Sequence, residues 1–150
     1  MVEIKRIQST EECPSISNLF DSYRIFYKQE SNLDGARLFL EERLAKQESI
    51  ILVAFNEGIA VGFTQLYPSF SSVSMKPLYI LNDLYVIEEK RGQGIGENLL
   101  DAAEKMGREL AWKGMVLETA HDNPAQKLYE RKGWSEDKDY KHYGIYFHNG

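Results

Sequence analysis

Residues 91–96 read RGQGIG, and the segments on either side of them decide the fold. The preceding run, LYILNDLYVI at 78–87, is rich in β-branched and aromatic residues, which favours a strand. A second run, at 115–119, predicts another strand. Between them, helical spacing predicts a helix with one apolar face, formed by Ile95, Leu99, Ala102, Ala103, Met106 and Leu110. We therefore expect a strand, a helix and a parallel strand joined by a right-handed crossover.

The rest of the chain extends this unit into an α/β domain. Residues 2–7 are predicted as a strand, and two helices follow, the first with apolar positions from Ile16 to Tyr27. The later predictions are a second helix at 32–47, a hairpin of 50–55 and 59–67, a serine-rich loop at 68–77, a helix at 123–132 and one or two closing strands at 134–147. We expect one domain over 1–150, with a mixed, mostly antiparallel sheet of six to seven strands and helices on both faces.

The composition is that of an ordinary globular protein, with 150 residues of which 43% are hydrophobic and 27% are charged. A formal net charge of −5 disfavours nucleic acid and membrane partners, since both carry phosphate. The single cysteine, Cys13, excludes an intrachain disulfide, and the lone histidines His121 and His142 lack metal-ligand spacing, so no metal is expected. With no membrane-spanning run and no signal peptide, the expected location is cytoplasmic.

Three alternate glycines at a helix start allow two interpretations. A helix N-terminus presents unpaired N–H groups, and glycine lets a phosphate approach them, with Arg91 as an added cation. The glycines could equally serve only a tight turn, and on their own they do not decide between the two. A P-loop is excluded because Glu97 follows Gly96 where a lysine is required, and the spacing also differs from that of the dinucleotide fingerprint.

The neighbouring residues resemble the GCN5-related N-acetyltransferase (GNAT) superfamily. The pattern Arg91-x-x-Gly94-x-Gly96 after DLYV resembles its acetyl-coenzyme A loop. The segment NPAQKLYERKGW at 123–134 resembles its Asn-x-x-Ala-x-x-Leu-Tyr-x-x-x-Gly-Phe/Trp signature. LNDLYV together with YRIFY is similar to the branch with the fungal histone, polyamine and D-amino-acid acetyltransferases. The resemblance, firm over 50–134, implies the GNAT fold with a splayed, parallel central strand pair.

The resemblance also implies acetyl-coenzyme A as co-substrate and a set of residues that bind it. Asn123 reaches the coenzyme in the family, although its residue type and position also predict a helix N-cap, with Gln126 placed for a capping box. Tyr129 would lie by the coenzyme sulfur and protonate the leaving thiolate, whereas its spacing alone favours a core position. The implied coenzyme-binding residues are Leu84, Tyr85, Val86, Arg91, Gly92, Gln93, Gly94, Ile95, Gly96, Asn123 and Ala125.

The acceptor side is predicted around two carboxylates, Asp83 and Glu118, which the implied layout places on the two splayed strands. Either could take the proton of an amine, as could water, and Asp83 could instead only hydrogen-bond the backbone. Alternation predicts Leu81, Asp83 and Tyr85 on one side of the strand, with Asn82, Leu84 and Val86 on the other. Tyr23 and Tyr27 are candidates for binding the acceptor, although helix core is the favoured interpretation of both.

The predicted function is transfer of an acetyl group from acetyl-coenzyme A to a primary amine by direct attack in a ternary complex. A small amine, a polyamine or an amino acid is favoured over a protein as acceptor. The alternatives are a protein N-acetyltransferase and a coenzyme-A-binding sensor or interaction module with the same fold. The acyl-chain preference and the oligomeric state stay open, with a homodimer through the aromatic tail as one option.

Overall fold

Residues 1–147 are described by the structure, a computed structural model. The contacts divide the chain into two units, Met1–Glu118 and Thr119–Gly150. The first unit contains the sheet and three α-helices. The second contains a short helix, α4 (Gln126–Arg131), and, as far as residue 147, the C-terminal segment.

The sheet of the first unit has five strands in sequence order, and not the six to seven that were predicted. Three neighbouring pairs are antiparallel and the last is parallel, which confirms a mixed, mostly antiparallel sheet. In the part of the chain that the structure describes, the parallel pair lies at one edge of this sheet and not at its centre. The strands are β1 (Val2–Ile7), β2 (Ile50–Asn56), β3 (Ile59–Ser71), β4 (Lys76–Val86) and β5 (Gly114–Val116).

Helices cover both faces of this sheet, as predicted. They are α1 (Pro14–Phe26), α2 (Leu33–Ala45) and α3 (Ile95–Glu109). The first two pack on the face that carries Ile51, Val53 and Phe63, and burial of each such side chain contributes about 1.5–3 kcal/mol. The third packs on the opposite face, where a Cβ on Gly62 would come within 3.4 Å of Ile95.

The predicted serine-rich loop at 68–77 is mostly strand. β3 continues to Ser71 and β4 begins at Lys76, so only residues 72–75 form the turn. Pro68 is tolerated because β3 extends past its last pairing with β2, at Leu66, and therefore has a free edge there. The prediction failed because the serines were taken as a loop signal, whereas the cross-strand ladder decides the conformation.

The predicted strands at 134–147 are absent from the described residues. The aromatic side chains of Tyr140, Tyr143 and Tyr146 are exposed there. Aromatic residues favour a strand only where a neighbouring strand accepts its backbone hydrogen bonds, and this segment has none within its own unit up to residue 147.

A β-bulge interrupts β4 at Asn82. Gln65 pairs with Asp83, but its neighbour Leu66 pairs with Leu81, so Asn82 is an extra residue on β4. Because paired residues share a face and successive residues of β3 alternate, Leu81 and Asp83 point to opposite faces of the sheet. The prediction that they share a side is therefore wrong, since a bulge is not visible in simple alternation.

Candidate active site

The bulge places a carboxylate in the interior of the first unit. The Asp83 side chain shares the α1 face of the sheet with Gln65, its partner on β3, and Asp83 is only 2% exposed. Gln65 Nε2 donates to Asp83 Oδ2 at 2.5 Å, and Asn82 Nδ2 donates to Oδ1 at 2.8 Å. The Tyr23 hydroxyl, from α1, also interacts with this carboxylate. Asp83 therefore bonds side chains here, and not only the backbone.

Burial raises the pKa of Asp83 above its ordinary value, because desolvation disfavours the charged form. Hydrogen bonds from Gln65, Asn82 and Tyr23 act in the opposite direction, and all three donors are uncharged. A carboxylate in such an environment is more basic than one in water while it remains fixed in position. It is chemically suited to accept a proton from a neighbouring ammonium group.

Two tyrosines face this carboxylate. Burial, together with the charge of Asp83, raises the pKa of both Tyr23 and Tyr67, so both phenols stay protonated at neutral pH. Tyr23 is half-buried and packs against the rings of Phe63 and Tyr85, so it is part of the core and also reaches Asp83. Tyr27 is 51% exposed and contacts Tyr23 edge-on, at 5.1 Å between ring centroids.

Sequence reasoning missed Tyr67, Gln65 and Ser49 at this site. The Ser49 hydroxyl donates to Gln65 Oε1 at 2.7 Å and so extends the cluster behind Asp83. The β-strand alternation of β3, which puts Gln65 and Tyr67 on one face, was the available signal. That Gln65 lies opposite Asp83 follows only from the register of β3 against β4.

The connection between α1 and α2 is held by a second buried carboxylate, Asp21. It accepts hydrogen bonds from the Ser31 hydroxyl at 2.6 Å and from the Asn32 backbone N–H at 2.8 Å. Arg24 Nη1 also donates to the Glu30 carbonyl oxygen at 3.1 Å. The Asn32 N–H and then the Ser31 hydroxyl hold the pKa of Asp21 below its ordinary value. These bonds fix the path of the chain beyond Tyr27.

Within Met1–Glu118, one edge of β4 has no strand partner near Asp83. The last residue of β4 that pairs with β5 is Ile80, whereas β4 itself continues to Val86. Ile87 N–H bonds to the carbonyl of Val61 on β3, so alternation turns the backbone groups of Leu84 and Val86 away from β3. Within Met1–Glu118 the parallel pairing therefore ends with Ile80, and β4 beyond it has an unpaired strand edge to which an extended ligand could add.

Arg91 lies at the end of this edge. Its Nε donates to the Val86 carbonyl oxygen at 2.8 Å. Its guanidinium also lies over the rings of Phe26 and Tyr85, with its central carbon 5.4 and 5.6 Å from their centroids. One of the backbone groups that the family resemblance assigns to the coenzyme is therefore bonded to Arg91 in this structure.

The glycine segment forms the turn into α3. Gly92 has φ +79° and Gly94, the N-cap, has φ +81°, a backbone conformation that side-chain-bearing residues rarely adopt. A Cβ at either position would meet no atom within 4 Å, so the space in front of this turn is open. Ile95 and Gly96 lie in the first helical turn, where backbone N–H groups have no intrahelical acceptor. The glycines thus make a tight turn and also leave room for a ligand beside a helix N-terminus.

Glu118 does not lie on a strand. β5 ends at Val116, three residues earlier than predicted, and Glu118 is exposed. The prediction that Asp83 and Glu118 lie on the two splayed strands is therefore wrong for Glu118. The apolar run at 115–119 was read as a full strand, but only 114–116 has a register with β4.

Comparison with known proteins identifies the family. The acetyltransferase (GNAT) family model matches residues 15–134. The chain belongs to the GNAT family. It is 48% identical over 139 residues, 92% of this chain and 93% of the other, to an uncharacterized N-acetyltransferase of Bacillus subtilis (strain 168). A crystal structure of a probable acetyltransferase superposes with a TM-score of 0.91 at 41% identity, covering 97% of each chain. The D-amino-acid N-acetyltransferase of Saccharomyces cerevisiae is 33% identical over 82 residues, 54% of this chain and 51% of that protein.

The family assignment gives this GNAT chain its reaction class. It is an acetyl-coenzyme-A-dependent N-acetyltransferase. Within residues 1–147 there is no group of three or more histidine, cysteine or acidic side chains placed to hold a metal ion. None of the described helices has both the length and the apolar character that a membrane crossing needs.

The second unit of this GNAT enzyme carries the other signature segment. Its helix begins later than predicted, because α4 starts at Gln126 with Ala125, not Asn123, as N-cap. Asn123 Oδ1 accepts from the Ala125 N–H at 2.9 Å and closes a turn before the helix. The Gln126 side chain does not form a capping box, since it donates to the carbonyls of Ala120 and His121.

Tyr129 lies on α4, and its ring centroid is 5.8 Å from that of Trp134. Gly133, with φ +94°, follows the helix as predicted.

Proposed function

We propose that this enzyme transfers the acetyl group of acetyl-coenzyme A to a primary amine of a small molecule, with Asp83 as the base. The observation that carries the proposal is a buried carboxylate with uncharged hydrogen-bond donors, next to the point where β4 and β5 part. An amine is protonated at neutral pH and attacks only after it has lost a proton. Asp83 can first attract the ammonium group and then accept that proton.

The residues around the open edge fit the coenzyme. The space in front of Gly92 and Gly94 admits a pyrophosphate close to the helix N-terminus. The outward backbone groups of Leu84 and the N–H of Val86 suit the amides of a pantetheine arm, as in strand addition, while Arg91 holds the Val86 carbonyl. Acetyl-coenzyme A supplies an activated thioester there. The remaining residues that we propose for its binding are Tyr85, Arg91, Gln93, Ile95, Gly96, Asn123 and Ala125.

The leaving group also needs stabilisation. We assign this role to Tyr129, whose hydroxyl would hydrogen-bond or protonate the departing thiolate. An unperturbed phenol has a pKa of about 10 and so carries its proton at neutral pH. No covalent enzyme intermediate is required, because the amine attacks the thioester directly.

The chemistry facing Asp83 favours a compact, cationic acceptor. Tyr23 and Tyr67 present protonated phenols, which can bond the polar groups of a small amine, a polyamine or an amino acid. Tyr27, at the exposed end of α1, is proposed as part of the entrance. Glu118 is retained as a more distant acidic group that attracts the cation. A D-amino acid belongs in the substrate panel because of the yeast relative.

The test is a thiol-release assay with acetyl-coenzyme A over a panel of small amines, polyamines and amino acids, followed by Asp83→Asn. If Asp83 is the base, kcat falls near neutral pH and partly recovers as rising pH supplies free amine. If Asp83 only attracts the cation, KM for the amine rises and the shape of the pH profile is retained. Asp34→Asn, an exposed carboxylate in the first turn of α2, is the matched control.

Two results would contradict the proposal. Coenzyme A binding without thiol release for any amine would make the chain a binding module. Wild-type kcat and amine KM in Asp83→Asn at all pH values would remove Asp83 from the reaction, and the same pair of measurements on Glu118→Gln would then test the second carboxylate.

A further inference from the structure

Three buried side chains form a directional hydrogen-bond chain that ends on Asp83. The Ser49 hydroxyl donates to Gln65 Oε1 at 2.7 Å, and Gln65 Nε2 donates to Asp83 Oδ2 at 2.5 Å. Ser49 is 6% exposed, Gln65 is 0% exposed and Asp83 is 2% exposed. Water therefore has little access to these groups, and each depends on its protein partner.

The Gln65 amide makes both bonds at once, with its NH₂ group toward Asp83 and its Oε1 toward Ser49. A glutamine amide can present either its oxygen or its NH₂ group to a neighbour, and the two orientations occupy nearly the same space. A serine hydroxyl can donate or accept, so it is the ionised carboxylate that requires the NH₂ group to face Asp83. Ser49 then supplies the donor that the buried Oε1 needs in this orientation. In the opposite orientation, an oxygen would face a carboxylate oxygen, which is favourable only when the carboxyl group is protonated.

We infer that Ser49 and Gln65 are positioning residues that hold the Asp83 carboxylate in its ionised form and in a fixed orientation. Neither contacts the reacting atoms in the proposed function, on which this inference rests. Gln65 acts on Asp83 directly, and Ser49 acts through Gln65. Asn82, on the bulge, bonds the other carboxylate oxygen, and the Tyr23 hydroxyl is a third donor to this carboxylate.

The two tyrosines that face Asp83 do not titrate between about pH 5 and 9. From α1, Tyr23 faces it, with Tyr27 behind, and from β3, Tyr67 faces it. Burial first, and the charge of Asp83 second, raise the pKa of Tyr23 and of Tyr67, so both remain neutral from about pH 5 to 9.

From α2, Arg43 approaches Tyr67 and is paired with Glu42 and Glu48. The pKa of Glu42 is lowered by Lys46 and Arg43, so this carboxylate stays ionised over the same range. Of Asp83 and the side chains that bond it, only the Asp83 carboxylate changes charge in this pH range.

The experiment measures the titration of the Asp83 carboxyl carbon by ¹³C NMR in the full chain. In Ser49→Ala the buried Gln65 Oε1 loses its donor, which destabilises the amide orientation that bonds Asp83, and we expect the titration midpoint to rise by about one pH unit. Ser49→Thr retains the hydroxyl and should restore the wild-type midpoint. Thr64→Val is the matched control, because it removes a buried hydroxyl that donates to the backbone carbonyl of Asp83 and not to its carboxylate.

A double variant tests whether Ser49 acts through Gln65. In a Gln65→Leu background, adding Ser49→Ala should leave the midpoint of Asp83 unchanged, whereas independent effects would add. Thermal unfolding of each variant establishes that it is folded at the temperature of the titration. The Ser49 single variants decide the matter if Gln65→Leu does not fold.

The outcomes separate this inference from the proposed function. A raised midpoint in Ser49→Ala, restored in Ser49→Thr, supports the chain. An unchanged midpoint in Ser49→Ala overturns it, whatever the activity. If the midpoint rises but the acid limb of the kcat profile stays in place, the chain stands and the role of Asp83 as base fails. If both move together by the same amount, both are supported.

Discussion

The glycine turn offers a sharp test, because the chain contains a second glycine with the same geometry. Gly94, before α3, and Gly58, in the β2–β3 hairpin, both have φ +81°, and a Cβ at either would meet no atom within 4 Å. Gly94→Ala and Gly58→Ala therefore impose the same backbone strain without a steric clash. They differ in their location, since only Gly94 lies beside the proposed pyrophosphate site.

The effect on stability should be small and equal. An L-residue in the left-handed region costs about 1–2 kcal/mol. Replacing glycine recovers about 0.4–1 kcal/mol through the lower entropy of the unfolded chain. The net loss is about 1 kcal/mol, which for a chain of this length lowers Tm by about 2–4 °C.

The effect on coenzyme A binding should be unequal. The new methyl group of Gly94→Ala enters the space that a phosphate needs to reach the N–H groups of the first helical turn. Loss of one charge-assisted hydrogen bond costs about 1.5–3 kcal/mol, a factor of about ten to one hundred in Kd. Gly94→Glu, which adds a negative charge, should abolish binding.

The test uses two measurements on the wild type and the three variants. They are titration calorimetry with coenzyme A and thermal unfolding. Equal Tm values in the two alanine variants, with weakened binding in Gly94→Ala alone, support the assignment. Wild-type affinity in both Gly94→Ala and Gly94→Glu would refute it, and the glycines would then serve the turn alone.

Three further predictions concern single side chains. Tyr129→Phe should lower kcat by about 10²–10⁴-fold with a smaller change in KM for acetyl-coenzyme A, measured by steady-state kinetics, and unchanged turnover would make Tyr129 a packing residue. For Asp21, whose folded-state pKa is lowered chiefly by the Asn32 N–H, the stabilisation is present above the unfolded-state value of about 4 and is lost as pH falls through the folded-state value. The Tm of the wild type should therefore fall more steeply below about pH 4 than that of Asp21→Asn, and parallel curves would contradict this. The buried Cys13, whose pKa is raised to about 11 mainly by burial, should resist iodoacetamide at pH 8 until denaturant is added, and rapid labelling of the native protein, followed by mass spectrometry, would show that the thiol is accessible.

Local patterns predicted several elements and their order along the chain. β1 was predicted with its observed bounds, Val2–Ile7, and the strand–helix–strand order around the glycine segment is confirmed. Where pairing decides the structure, the sequence was less informative. The serines at 69, 71 and 72 suggested a loop, but the ladder between Ser69 and Leu78 keeps β3 extended.

The acceptor side shows the same division. Asp83 was singled out from its place on a strand and from the family resemblance, and the structure adds its burial and its partners. The bonds of Gln65 to Asp83 and to Ser49 span 18 and 16 residues of sequence. Such contacts depend on the register of β3 against β4 and on the bulge at Asn82, and no local pattern contains that information.

For protein engineering, the connection between α1 and α2 is a natural cassette. Asp21 and Arg24 anchor its far end through Ser31, Asn32 and the Glu30 carbonyl, whereas the side chains of residues 27–30 are exposed. A library that varies residues 28–30 and keeps the anchors would change the surface beyond Tyr27 without releasing either helix. Residue 28 adopts φ +67°, so glycine and asparagine should be over-represented at this position among the active variants of the library.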